Sequence, residues 1–220
     1  MSVAVFSAML AGCSSAGTDS STASGGSADT SAASAGAAAS SDGSILKVGL
    51  DSDPPSYDPA DFNSSRATLA CYSCYDTLLQ FSEDGTELLP DLAESWEQKD
   101  DLTYVYKIRS DVLFNDGTPM TMDDVLFSLN RILDPDTAAS MSYLFENVES
   151  FEQTGDYELT VHLKTPDATW KFVPATSPCA IVSKAAVEAA GDEYGAITSL
   201  TCVGTGPYKL ESWTSGSEIT

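Results

Sequence analysis

The stretch Asp111-Val-Leu-Phe-Asn-Asp-Gly-Thr-Pro-Met-Thr-Met-Asp-Asp-Val-Leu-Phe-Ser-Leu-Asn-Arg131 decides how the rest of the chain is read. It predicts a strand end, a tight turn and a capped helix. Asp116-Gly117 supplies the turn, because glycine tolerates positive φ. Thr121 is placed to cap a helix, and Asp124 to return the bond in a capping-box arrangement. Val125, Leu126, Leu129 and Ile132 then share one side of the helix. Asp134-Pro135 ends it, because the residue before proline avoids the helical region.

Working outward, the apolar run Ile45-Leu-Lys-Val-Gly-Leu50 predicts a strand. Residues 51–65 carry Pro54, Pro55 and Pro59 and predict a loop. A helix is expected over 66–80, with Leu69, Tyr72, Tyr75, Leu78 and Leu79 inward. Ser82-Glu-Asp-Gly-Thr86 predicts a turn. Residues 102–108 alternate Leu, Tyr, Tyr and Ile against Thr, Val and Lys, as a half-buried strand does. Residues 145–151 and 157–163 predict an antiparallel pair turned at Gly155-Asp156. Residues 166–173 predict a short aromatic helix or loop, and 180–182 a strand. Ser183 caps a helix running to Ala190, closed by Gly191. Further strand starts are expected at 208–210 and at 217–220. Helices and strands mix without a βαβ rhythm, which gives an α/β class in the mixed α+β sense.

Several motifs resemble the family 5 extracellular solute-binding proteins, the oligopeptide, dipeptide and nickel receptors of ABC importers. They are Ser56-Tyr-Asp-Pro59, Ala93-Glu-Ser-Trp96, Tyr104-Val-Tyr-Lys-Ile-Arg109, Phe114-Asn-Asp-Gly-Thr-Pro119, Asp124-Val125 with Phe127-Ser-Leu129, and Gly204-Thr-Gly-Pro-Tyr-Lys209. They keep family order across residues 45–220. Met122 departs from the family pattern, which has alanine there. The resemblance implies the first lobe of a two-lobe periplasmic-binding-protein-like fold, with the second lobe absent. Residues 45–63 and 179–220 would form the core of that lobe and 64–178 an inserted subdomain. It also implies a monomeric, non-enzymatic binding lipoprotein that captures a peptide ligand outside the cell. The receptor would deliver that peptide to an ABC permease and its ATPase, without a cofactor. A nickel or other small-solute receptor of the same fold, or a surface lipoprotein used for signalling or adhesion, are the alternatives.

Charge narrows the partners. The 220 residues carry 33 Asp+Glu against 10 Lys+Arg, a formal net charge of −23. Nucleic acid is excluded as a partner, because neutralising phosphates requires clustered Lys and Arg and no basic run exists. Electrostatic docking to anionic lipid is disfavoured for the same reason.

The N-terminus points to secretion. Residues 3–10 are apolar but too few to span a bilayer. They lead into Leu10-Ala-Gly-Cys13, which resembles a bacterial lipobox; cleavage before Cys13 and lipid on its thiol are implied. The alternative is ordinary secretory cleavage beside an incidental cysteine. No charged residue precedes Cys13, so residues 1–12 read as a signal-peptide remnant. Residues 13–44 hold the lipidated cysteine and a Ser/Ala/Gly linker that cannot bury a core. Its root-mean-square reach is roughly 30 Å. The expected location is extracytoplasmic, lipid-anchored to the cell membrane on its periplasmic or outer face. Receptors of this family are longer than this chain, so a fragment is expected.

Catalytic chemistry is sparse. His162, the sole histidine, falls on the outer face of its strand with Thr160 and Lys164. No nucleophile elbow or phosphate-binding glycine loop occurs; Pro207 removes an amide that a phosphate would need. Asp100-Asp101 and Asp123-Asp124 sit at turns or a helix start, where capping and solvation account for them. Cys71, Cys74, Cys179 and Cys202 admit three readings: buried free thiols, disulfides such as Cys179 with Cys202, or a four-thiolate metal site that lacks a second Cys-x-x-Cys. Thiols or disulfides are expected and no metal.

Ligand contacts are expected in the loop before the first long helix. By motif position in the family, Asn63, Ser64 and Ser65 would offer amide, hydroxyl and backbone groups to an extended peptide, in the manner of strand addition. A capping role for the same residues is compatible with that. Tyr143, Thr176 and Ser177 are further candidates, although aromatics such as Tyr143 more often pack in cores. The Phe114 to Arg131 block is expected to touch no ligand.

Overall fold

The computed structural model describes residues 46–220, apart from the Cys71 side chain. Residues 1–45, with the expected signal remnant, Cys13 and the expected linker, lie outside the described residues. Residues Val48–Thr220 form one compact unit.

The capped helix forms as its sequence requires. Helix α2 spans Met122–Leu133; Thr121 Oγ1 accepts from the Asp124 amide, and Asp124 returns the bond to the Thr121 amide. Its Val125, Leu129 and Ile132 are buried. Asp134 ends it in an extended conformation before Pro135. Gly117 turns at φ 89°. The other helices are α1, Ser65–Cys74, and α3, Lys184–Ala190, where Ser183 caps the start and Gly191 closes the end at φ 56°.

Four antiparallel strands make the main sheet: β3 (Ala93–Gln98), β4 (Thr103–Ile108), β5 (Val148–Gly155) and β6 (Glu158–Leu163), in the spatial order β3-β4-β6-β5. Tyr106 stands opposite Leu159 and Tyr104 opposite Val161, so the alternating face seen in the sequence becomes the buried one. Helix α2 packs against that face beside β5. Phe145, Phe151 and Trp170 close the core edge-on, with Phe145 and Trp170 centroids 5.9 Å apart. Two small ribbons complete the strands: β1 (Leu79–Phe81) with β2 (Leu88–Pro90), and β7 (Trp213–Thr214) with β8 (Glu218–Ile219).

A second, smaller core lies elsewhere. Tyr57, Phe62, Ala67, Ala70, Cys74 and Tyr75 pack there with Val182, Val187, Tyr194 and Cys202. Its members come from opposite ends of the described chain, which brings the loop before α1 against the segment after α3.

Several expected elements come out differently. The helix expected over 66–80 stops at Cys74. The amides of Gly206 and Tyr208 bond the carbonyls of Cys74 and Ser73, each at 3.0 Å, and fix the helix end from outside. Leu69 and Tyr72, expected inward, lie on the exposed side of α1, while Tyr75, Leu78 and Leu79 are buried beyond the helix. The same contact absorbs the strand expected at 208–210. Residues 180–182 contribute only a bridge from Val182 to Gly204, although all are buried. Residues 46–50 form no strand, and Leu46 and Val48 are exposed; a strand needs a ladder partner, which apolar content does not supply. Thr160 is buried rather than solvated, because the Thr154 hydroxyl covers it at 2.8 Å.

Candidate functional site

The loop ahead of α1 is built from local polar bonds. The Asp58 amide donates to Ser56 Oγ at 2.9 Å, and Asp58 Oδ1 accepts from the Ala60 amide at 3.0 Å, which shapes the turn Pro59–Asp61. Arg131 then grips both carboxylate oxygens of Asp58, at 2.7 and 2.5 Å. Burial works against the Arg131 charge, but the Asp58 bonds and charge outweigh it and hold the guanidinium above its ordinary value. The guanidinium also lies over the Tyr194 ring, 5.9 Å from its centroid.

Arg131 belongs to a polar stripe on α2. Asp124 Oδ1 accepts the Lys184 amide at 3.0 Å, and Ser128 Oγ accepts the Val182 amide at 3.0 Å. Spacings of four and three residues put Asp124, Ser128 and Arg131 on one side. The helix therefore buries its apolar side in the sheet core and pins two distant segments with its polar side. Sequence reading singled out the apolar side alone; the polar period was the available signal for the other.

The candidate residues occupy three neighbouring segments. Ser64 is the N-cap of α1: its Oγ accepts the Ala67 amide at 3.3 Å and its carbonyl accepts the Thr68 amide at 2.9 Å. Asn63 and Ser65 are exposed on either side of it. Asn63 Nδ2 donates to Ser140 Oγ at 3.4 Å, and the Ser140 amide donates to the Ala60 carbonyl at 2.9 Å, so the loop is tied to the segment that leads into Tyr143. Tyr143 itself is 59% exposed. Thr176 Oγ1 donates to the Val173 carbonyl at 2.6 Å, and Ser177 is buried. The turn Ser177–Cys179 packs against both the Pro59–Asp61 turn and α1, where Tyr72 Oη donates to the Ala175 carbonyl at 3.3 Å. Asn63 and Ser65 thus present exposed polar edges, Asn63 through what its bond to Ser140 leaves open, whereas the Ser64 and Thr176 hydroxyls serve the backbone.

Beneath the loop lies a phenol network. Tyr75 Oη donates to the Tyr57 carbonyl at 2.9 Å and sits 3.1 Å from Tyr194 Oη. Burial, reinforced by Tyr194 and Cys202, holds the Tyr75 phenol well above its usual value, and burial pushes Tyr57 up to about 12. These groups stay neutral and act as hydrogen-bonding scaffold. The Tyr57 amide bonds the Gly195 carbonyl at 2.8 Å. Gly195 adopts φ 74°, and a Cβ there would stand 2.1 Å from the Asp58 amide nitrogen, so glycine alone fits.

Of the cysteine readings, buried thiols are what the described residues show: Cys74, Cys179 and Cys202 are in no disulfide, and Cys179 belongs to the main core while Cys202 belongs to the smaller one, which separates the suggested Cys179–Cys202 pair. Hydrogen bonding from Cys202, against burial, holds the Cys74 thiol below its ordinary value. Burial alone drives Cys179 far upward. Among the described residues, no group of three His, Cys, Asp or Glu side chains converges on a metal position. No helix among them is long and apolar enough to cross a membrane. His162 lies 4.0 Å from Glu152 on the outer face of β6.

A family model described as "Bacterial extracellular solute-binding proteins, family 5 Middle" matches residues 87–220. The chain belongs to this family. A glutathione-binding protein GsiB from Pectobacterium atrosepticum is 32% identical over 170 residues, covering 77% of this chain and 32% of that protein. The oligopeptide-binding protein AppA from Bacillus subtilis, solved with a nonapeptide, superposes with a TM-score of 0.69 at 27% identity, covering 76% of this chain and 34% of AppA. NikZ from Campylobacter jejuni, solved with Ni(L-His), gives 0.65 at 26% identity, covering 76% and 33%. The chain therefore spans about a third of the length of the relatives it matches. Its mixed helix-and-sheet architecture is that of the first part of the periplasmic-binding-protein fold, and the family consists of transporter-associated binding proteins.

Proposed function

We propose that this chain is part of a peptide receptor, lipid-anchored through Cys13 outside the cell, which delivers its ligand to an ABC permease and ATPase. The observation that carries the reading is the loop at Asn63–Ser65. It is held rigidly from below by Arg131–Asp58 and from the side by Ser140, yet it leaves the Asn63 and Ser65 polar groups exposed. A pre-formed polar edge of this kind suits main-chain recognition of an extended peptide, with side chains left to roomier surroundings. Residues 45–63 and 179–220 act as the core of the lobe and 64–178 as an inserted subdomain, with α1 as the seam between them. Tyr143 and the Thr176–Ser177 turn flank the edge. The role is capture without catalysis, by a monomer.

Titration calorimetry on the full-length protein tests this with a peptide pool, Ni(L-His) and free amino acids. Peptides of several residues are expected to bind, and Asn63→Ala is expected to weaken them about tenfold, the worth of one good hydrogen bond. Binding of Ni(L-His) without peptide binding would move the assignment to the nickel class. Binding of neither, with capture of a partner protein, would favour a signalling or adhesion role. Metabolic labelling with a fatty-acid analogue, lost in Cys13→Ser, checks the anchor.

A further inference from the structure

We propose that the cavity at the end of the main sheet, between the β3–β4 turn and the loop after β6, binds a small organic ammonium ion such as a diamine or polyamine. The cavity measures about 260 Å³. Strands β3 and β4 and their turn line it with Gln98, Asp101 and Tyr104, and the segment after β6 lines it with Asp167 and Lys171. Backbone bonds bring these segments together. The Lys99 amide bonds the Thr103 carbonyl at 2.9 Å and closes the turn that carries Asp101. The Leu163 amide bonds the Leu102 carbonyl at 2.8 Å, which starts the loop holding Asp167 beside that turn. Gln98 stands directly opposite Tyr104 across the β3–β4 pair. Thr169 donates its amide and its hydroxyl to Asp167 Oδ1, at 2.8 and 2.7 Å, and so fixes the direction of that carboxylate.

Tyr104 sets this cavity apart from an ordinary acidic surface. The residue is only 3% exposed, yet its hydroxyl has no hydrogen-bond partner among the described residues and opens on the cavity. A polar group so placed calls for a partner from outside the protein. Burial, with the Asp167 and Asp101 charges beside it, raises the phenol above its ordinary value, so it stays neutral and can accept a hydrogen bond. The Thr169 bonds hold the Asp167 carboxyl below the usual range and keep it charged. Lys171 would neutralise the cavity by pairing with either carboxylate. Instead its ammonium lies over the Phe172 ring, 4.7 Å from the centroid, and it joins none of the ion pairs among the described residues. Two carboxylates, the phenol and the Gln98 amide oxygen thus offer acceptors to an alkylammonium group, which has three N–H donors to place. A metal ion fits less well. No three His, Cys, Asp or Glu side chains converge among the described residues, and the volume is far larger than a bare cation needs. The net charge of −23 raises the local concentration of any cation.

Titration calorimetry of the full-length protein with putrescine and spermidine, at fixed ionic strength, tests this. Both amines are expected to bind, spermidine more tightly. Asp101→Asn combined with Asp167→Asn should weaken spermidine at least tenfold, and Tyr104→Phe about fivefold, the worth of one neutral hydrogen bond. A control, Glu188→Gln with Asp192→Asn, removes the same charge from exposed positions on α3 and the turn after it, and should leave spermidine affinity unchanged. Equal weakening in the control would overturn the proposal in favour of diffuse attraction to an acidic surface. Absence of binding by either amine would overturn it outright. Displacement of spermidine by an equal concentration of Ca²⁺ at the same ionic strength would replace the organic cation with a metal. Asp101 lies in an exposed turn, so Asp101→Asn alone, expected to weaken spermidine about threefold, decides the matter if Asp167→Asn fails to fold. The outcome does not depend on whether the Asn63–Ser65 edge takes a peptide.

Discussion

The four-stranded sheet and the joint where α1 meets the segment around 202–208 are held together by different means. In the sheet, β3 pairs with β4 and β5 with β6, each its neighbour in sequence, β4 and β6 join the two pairs, and buried aromatics and aliphatics fill one continuous core. At the joint, segments from opposite ends of the described chain meet through amides, glycines and a few polar side chains. Packing cores tolerate loss of volume by partial relaxation. A joint defined by backbone-to-backbone approach has no such slack. The candidate ligand edge sits on the joint, so its geometry depends on the less forgiving of the two regions.

The largest expected effect breaks the joint. Gly204→Ala would put a methyl 2.2 Å from the Cys74 oxygen and 2.3 Å from the Tyr75 ring. A loss of about 4 kcal/mol or failure to fold is expected, read by urea unfolding. If Gly204→Ala unfolds with unchanged midpoint, the joint is looser than described. Next is Arg131→Met, which strands the 9%-exposed Asp58 carboxylate without its partner. It should cost about 3 kcal/mol. The matching control, Arg66→Met, removes the exposed pair with Asp51 and should change stability by less than about 0.5 kcal/mol. In the sheet core, Leu129→Ala should cost about 3 kcal/mol while leaving peptide affinity unchanged in calorimetry. A parallel fall in affinity would show that the two regions are not mechanically separate.

A smaller effect than any of the core or joint losses concerns pH. Burial, with the Asp76 charge beside it, raises the Asp91 carboxyl to about 6. The folded chain therefore holds this proton more tightly than the unfolded chain does. The stability that protonated Asp91 contributes is full below about pH 4 and is lost as pH rises through about 6. Asp91→Asn should remove that dependence. At pH 7 it should stabilise the protein by about 1 kcal/mol at most, because the group is partly exposed and screened. Thermal melts across pH 4–7 check both the sign and the flattening.

Much of the sheet was legible in advance. The alternation in 102–108, the turn at Gly155-Asp156, the capping box at Thr121 and the Ser183 cap are local signals, written within a few residues. The resemblance of ordered motifs gave the family. Two of the errors share one cause. The end of α1 at Cys74 and the loss of the strand at 208–210 are both set by segments more than a hundred residues away. Periodicity cannot register a carbonyl captured from such a distance. Asp124, Ser128 and Arg131 had a readable spacing, but only the fold shows that their targets are Lys184, Val182 and Asp58.

By itself, then, the sequence determined the elements whose hydrogen bonds close locally: the caps, the turns and the strand pair joined at Gly155-Asp156. The tertiary structure alone decided how the ends of the described chain meet, which cysteines share a core and which polar groups of Asn63–Ser65 stay exposed. Those outcomes depend on where backbone donors from remote segments arrive, and a donor's destination is a property of the folded chain rather than of any window of residues.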